Sequence, residues 1–183
     1  MPIEEEHISS IIDGCINQNR KAQEQLYRSY YKVMMNLCLR YTKNEADALA
    51  ILNNAFYKVF KNIKMYDPAK ATLYTWIRTI TINTCIDHLK PTQNKIATSE
   101  LVEAENVFIE PSVIAKMKEG ALLMLVQQLA PSTRAVFNLY IMEGFGHKEI
   151  GQLLHISEGT SKWHLNDARK KLKILITQEQ QQY

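Results

Sequence analysis

Residues 147–173, HKEIGQLLHISEGTSKWHLNDARKKLK, hold the side chains of this chain best suited to recognising another molecule. Lys162, Arg169, Lys170, Lys171 and Lys173 supply phosphate affinity or guanine contacts, and Trp163, His164 and Asn166 belong to the side expected to reach base edges. Asp167 interrupts this basic series; a carboxylate there repels phosphate and can instead accept a hydrogen bond from cytosine. The chemistry is recognition rather than bond-making. The chain has no glycine-rich phosphate loop, no His and carboxylate cluster at metal spacing and no nucleophile elbow. His147 and Glu149 sit two apart, so on a helix they do not face one another. The expectation is a protein that is not an enzyme and takes no cofactor or metal.

The elements that must position these groups are two short helices and a turn. The first, from His147 to Leu154, presents Ile150, Leu153 and Leu154 on one face. After His155-Ile156, Ser157 is placed to cap a second helix, whose inner face is Ser161, Leu165, Ala168 and Leu172. Gly151 is a small residue where the helices must approach. His155 stands where positive φ is wanted and is among the non-glycine types enriched there. Together these describe a helix-turn-helix, which lays its second helix in the DNA major groove. A plain helical hairpin with a solvated basic face is the competing reading.

The rest of the chain is helical in period. Leu26, Tyr30, Met34, Cys38 and Tyr41 recur at spacings of three and four, as do Ile51, Ala55, Val59 and Ile63. Pro68 pushes Asp67 out of helical geometry. A third series, Leu73, Ile77, Ile80, Thr84, Ile86 and Leu89, is expected to end at Lys90-Pro91. Residues 91–112 hold four Glu and one Lys with few apolar residues, as a solvated linker does. Helical periodicity resumes with Ile114, Met117, Ala121, Leu122, Leu125 and Leu129, and Ser132 is expected to cap a helix carrying Val136, Leu139 and Tyr140. The fold class is therefore all-α: a helical domain at 1–92, a flexible acidic linker at 93–112 and a helical domain at 113–183. The Gln-rich tail is expected to fray.

Composition adds exclusions. The 183 residues are 46% hydrophobic with a formal charge of +3, which argues against disorder. The acidic start MPIEEEHISS does not read as a signal peptide, and no stretch nears the roughly 18 apolar residues of a membrane span. Cys15, Cys38 and Cys85 form neither a disulfide framework nor a CxxC motif. A cytoplasmic protein without direct membrane insertion is expected.

The two halves resemble the extracytoplasmic-function sigma factors of bacterial RNA polymerase. LAPSTRAVFNLYIMEGFGHKEIGQLLHISEGTSKWHLNDARKKL looks like sigma region 4, which reads the promoter −35 element. LYRSYYKVMMNLCLRYT, AFYKVFKNI and YDPAKATLYTWIRTITINTCIDHLK look like region 2. The resemblance implies that region 2 docks on the clamp helices of core RNA polymerase through Ala50, Asn53, Asn54 and Tyr57. Relatives usually offer acidic and glutamine residues near these positions; here two asparagines keep hydrogen-bonding capacity without charge. It further implies a −10 site at the loop from Asp67 through Lys70 to Ala71, which with Asn83 holds a flipped base of promoter DNA. Lys70 and Arg78 meet phosphates, and Tyr74 and Trp76 stack on bases, although Trp76 lies in an apolar series and the core competes for it. Thr79 stands where the family commonly has arginine. For −35 recognition the set is Lys162, Trp163, His164, Asn166, Asp167, Arg169 and Lys170; relatives tend to carry arginine where this chain has Asp167. An anti-sigma factor is the further partner implied.

Two other readings compete. EIGQLLHIS and SKWHL are also similar to the output domain of LuxR-type regulators, but residues 1–112 lack the β-rich runs of an α/β receiver. A helical adaptor that binds only protein is the other. By segment, residues 1–90 hold 12 basic and 9 acidic side chains, residues 91–112 hold 1 and 4, and residues 113–183 hold 9 and 6. The small net charge thus resolves into two mildly basic domains flanking an acidic connector.

Overall fold

The structure, a computed structural model, describes residues 5–93 and 119–180. Among these residues there is no strand. The helices are α1 (Glu5–Ile16), α2 (Arg20–Tyr41), α3 (Glu45–Asn62) with a 3₁₀ turn at Ile63–Met65, and α4 (Leu73–Gln93). They continue with α5 (Glu119–Gln127), α6 (Pro131–Phe137), a π-helical turn at Asn138–Met142, α7 (His147–Leu154) and α8 (Glu158–Gln180). Linker residues 94–112, the start of the next helical series at Ile114 and Met117, and residues 181–183 lie outside the described residues.

The chain forms two compact units, Met1–Cys38 with Asn44–Cys85, and Leu39–Lys43 with Ile86–Tyr183. In the first, Leu26, Met34 and Cys38 of α2 are buried, as are Ile51, Leu52, Ala55, Phe56 and Val59 of α3 and Leu73 and Ile77 of α4. Tyr27 packs edge-on against Phe56 at 4.7 Å. Local caps set the helix starts: Asn44 Oδ1 accepts the Asp47 amide at 2.8 Å, and Thr72 Oγ1 accepts the Thr75 amide at 3.2 Å. Asp67 Oδ1 takes the Ala69 amide at 3.0 Å and shapes the loop before α4. Cys15, Cys38 and Cys85 are in no disulfide, and all three are buried.

In the second unit Leu125, Leu129, Val136, Phe137, Leu139, Ile150, Leu154, Leu165, Ala168 and Leu172 are buried, which includes the whole expected inner face of α8 together with Ser161. Two expectations are corrected here. Ser132 is not a cap: Ala130 holds the N-cap position and Pro131 the first turn, where its missing N–H is one of the donors a helix start leaves unpaired anyway. Ser132 is instead buried at 7% exposure. Nor does α4 stop at Pro91; it runs on to Gln93.

Candidate nucleic-acid interface

The turn between α7 and α8 has the expected construction. His155 adopts φ 55° and ψ 44°, and the Ile156 amide donates to the Gly151 carbonyl at 3.0 Å. A Cβ on Gly151 would lie 2.8 Å from the Ile156 carbonyl oxygen, so only glycine allows this turn to close. Ser157 Oγ accepts the Thr160 amide at 3.0 Å and starts α8. At the other end of α7, the Gly146 amide donates to Glu149 Oε2 at 2.7 Å.

Along α8, Lys162 is exposed and Trp163, Arg169 and Lys170 are half-buried, while Lys173 is exposed. At 100° per residue these five fall on one side of the helix. Lys162 also pairs with Glu158 at 2.7 Å across one turn. His164 and Asn166, expected to reach outward, do not: they are 4% and 8% exposed. His164 projects toward α6, where its Nδ1 lies 3.0 Å from Thr133 Oγ1. The Thr133 hydroxyl donates onward to Asp167 Oδ2 at 3.0 Å, so the imidazole must be the donor in the first contact. Lys171 Nζ closes the chain on the same carboxylate oxygen at 2.8 Å. Asp167 is thus the acceptor of an internal network that fixes α8 to α6. Burial holds the His164 imidazole below its ordinary pKa, with Asp167 opposing and Lys171 assisting.

Pattern reading did not find the contact at the start of α7. His147 stacks on Tyr140 at 4.5 Å, and its Nδ1 lies 2.9 Å from Ser161 Oγ. Burial and then Lys162 hold its pKa low. Nothing in local spacing pairs residues 140, 147 and 161.

In the first unit, Ala50, Asn53, Asn54 and Tyr57 are all exposed and share one face of α3, Tyr57 at 64%. Tyr27 donates from its hydroxyl to Asn53 Oδ1 at 3.0 Å, a partner from α2 absent from the expected set. The residues around α4 do not make one surface. Lys70 is exposed on the preceding loop and paired with half-buried Asp67 at 3.5 Å. Tyr74 and half-buried Arg78 occupy one side of α4, whereas Trp76 and exposed Asn83, seven residues apart, occupy another. Trp76 is half-buried, its ring 5.6 Å from that of Tyr66, so it is neither core nor free. Beside this loop lies a groove of about 540 Å³ whose walls include Tyr66, Pro68 and Thr72 and, unexpectedly, Ile8 and Ile12 of α1.

Residues 26–94 match the family profile of sigma-70 region 2, and residues 119–172 match that of sigma-70 region 4. The ECF RNA polymerase sigma factor SigM of Bacillus subtilis is 25% identical over 155 residues, covering 83% of this chain and 93% of that protein. The chain belongs to the sigma-70 family, as an ECF-type sigma factor. SigW of Bacillus subtilis, also an ECF sigma factor, is 25% identical over 175 residues, 86% of this chain and 92% of SigW. The RNA polymerase sigma-H factor of Pseudomonas aeruginosa is 22% identical over 180 residues, 92% of this chain and 93% of that protein. The sigma factor RpoE of Bartonella quintana, solved in complex with the anti-sigma factor NepR, shares the fold with a TM-score of 0.52 and 17% identity, over 84% of this chain and 96% of that one. In sigma-factor terms, α2 to α4 carry region 2 and α5 to α8 carry region 4, whose helix-turn-helix is α7 and α8. Among the described residues no helix is long and apolar enough to cross a membrane, and no three His, Cys, Asp or Glu side chains gather as metal ligands.

Proposed function

We propose that this chain binds core RNA polymerase and directs promoter-specific initiation, with region 4 at the −35 element and region 2 at the melted −10 strand. The observation that carries the reading is the α7–α8 corner. A closed Gly151–His155 turn presents Lys162, Trp163, Arg169 and Lys170 together on α8, in a chain that also carries region 2. Those four residues are the proposed −35 contacts. His164 and Asp167 act behind them, holding α8 on α6.

The exposed stripe of Ala50, Asn53, Asn54 and Tyr57 is the proposed polymerase face. Lys70, Tyr74 and Arg78 are the proposed phosphate and stacking contacts near the −10 element, with Asp67 shaping the loop and Trp76 and Asn83 on the second side of α4. Each DNA contact is modest, and joining both through polymerase raises their effective concentration. The polymerase performs the chemistry, and the chain itself carries no catalytic step. It works in the cytoplasm, where the transcription machinery is, and an anti-sigma protein covering the same faces is its proposed inhibitor.

Run-off transcription with core polymerase and a promoter library tests this reading. The expected result is a set of transcripts absent with core enzyme alone, lost on combined Lys162→Ala and Arg169→Ala substitution. Absence of any transcript dependent on this chain would refute it.

A further inference from the structure

A second concave site lies away from the −10 loop, where the α1–α2 corner meets the end of α3. It is a cleft of about 620 Å³, within the 300 to 1,000 Å³ typical of small-molecule sites. Arg20, Lys61 and Lys64 line it, and no carboxylate does. All three cations are exposed, and the ion pairs of the described residues lie elsewhere. Phe60 and Tyr57, the latter shared with the proposed polymerase face so that the cleft is open in the chain free of polymerase, form an aromatic wall, and Gln18 and Gln23 offer amides. Cys15 is buried at its edge, and burial raises the pKa of its thiol, so it adds no negative charge. The start of α2 is already capped, since Asn19 Oδ1 accepts the Lys21 and Ala22 amides at 2.9 and 3.3 Å. The positive character therefore comes from the side chains.

Cations interleaved with aromatic rings suit a ligand with phosphates at one end and a planar base at the other. We propose that this cleft binds a nucleotide, free or as part of a single strand. Its phosphates sit among Arg20, Lys61 and Lys64, and its base lies against Tyr57 and Phe60. A purely acidic peptide such as polyglutamate would use the cations but has no aromatic ring to stack on Tyr57 and Phe60, and the cleft has the size of a small ligand rather than of a helix.

Calorimetric titration of the full chain without polymerase tests the site, using ATP, a short 5′-phosphorylated oligothymidylate, inorganic triphosphate and a polyglutamate peptide as probes. ATP or the oligonucleotide is expected to bind at one site, with triphosphate weaker by about tenfold because it lacks the stacking base. Tighter binding of the oligonucleotide identifies a strand as the source, and tighter binding of ATP a free nucleotide. Combined Arg20→Ala and Lys64→Ala substitution is expected to weaken binding at least about tenfold; should that variant not fold, Lys61→Glu serves in its place. No saturable binding of either nucleotide probe, binding unchanged in the charge variants, or preference for polyglutamate would each overturn the assignment. Transcription does not enter this experiment, so its outcome is independent of the promoter reading.

Discussion

The α1–α2 corner of the first unit and the α7–α8 corner of the second share their parts. Each has a glycine, Gly14 or Gly151, followed four residues later by a non-glycine residue in the left-handed region, Gln18 at φ 58° or His155 at φ 55°. In each, the next residue donates its amide back to that glycine's carbonyl, Asn19 to Gly14 at 2.9 Å and Ile156 to Gly151 at 3.0 Å. They then diverge. Asn19 is itself the cap of α2, whereas region 4 inserts Ile156 before its cap, Ser157. A Cβ on Gly14 would meet the Cβ of Ala22 at 2.5 Å, a contact between helices; a Cβ on Gly151 would meet the backbone of its own turn. The shared cap makes a corner. The inserted residue and the basic face beyond it distinguish the corner proposed to read DNA.

The sharpest way to break this comparison is to add a methyl group at each glycine. Gly151→Ala is expected to cost about 2 to 3 kcal/mol, because the atom in the way is backbone and cannot swing aside. Gly14→Ala meets the backbone-fixed Cβ of Ala22 still closer, at 2.5 Å, so α1 and α2 must move apart and the cost is expected to be at least as large. Urea unfolding followed separately through Trp163 and Trp76, one in each unit, reads the two effects. A smaller loss at Gly14 would show that α1 and α2 part more easily than the α7–α8 turn opens.

Asp167→Arg comes next in size. An arginine there adds positive charge beside the proposed DNA face but removes the acceptor shared by Thr133 and Lys171, for an expected loss of about 1 to 2 kcal/mol in region 4. A gain in stability would show the network to be dispensable. Two buried or partly buried histidines give region 4 a pH dependence. The pKa values of His164 and His147 are lowered in the fold, so the unfolded chain binds protons more readily near the ordinary value of 6.5. Their contribution is complete above that value and is lost as pH falls through the lowered folded values. Region 4 is therefore expected to lose stability on acidification below neutrality, and His164→Gln to flatten that slope. The smallest effect belongs to the left-handed residues: His155→Gly and Gln18→Gly are each expected to add about 0.5 to 1 kcal/mol by relieving the Cβ, measured as a raised urea midpoint.

What could be read from the chain followed its range of interaction. Gly151, His155, Ser157 and the inner face of α8 lie within a few turns of one another, and local sterics and period specify them. The Thr133–His164 contact joins residues 31 apart, and His164 read as outward-facing because its partner lies on α6, beyond any helical period. Ser132 was a sound cap by type but lost the place to Ala130, because Pro131 is best satisfied in the first turn. Around α4, the residues came from the resemblance to region 2, and the helical period alone divides Tyr74 and Arg78 from Trp76 and Asn83; burial adds only that Trp76 and Arg78 are partly covered. The cationic cleft was invisible for the same reason as the His164 contact: Arg20 and Lys64 come from elements separated by more than forty residues.

The three thiols give the first unit a built-in clock. Cys38 and Cys85 have no exposure and Cys15 only 2%, with no disulfide among them. An alkylating reagent in native buffer reaches them only when the surrounding helices open, so the labelling rate of each reports its local opening without an introduced probe. For a protein that must engage a much larger machine, those three rates would chart how docking stiffens region 2, helix by helix.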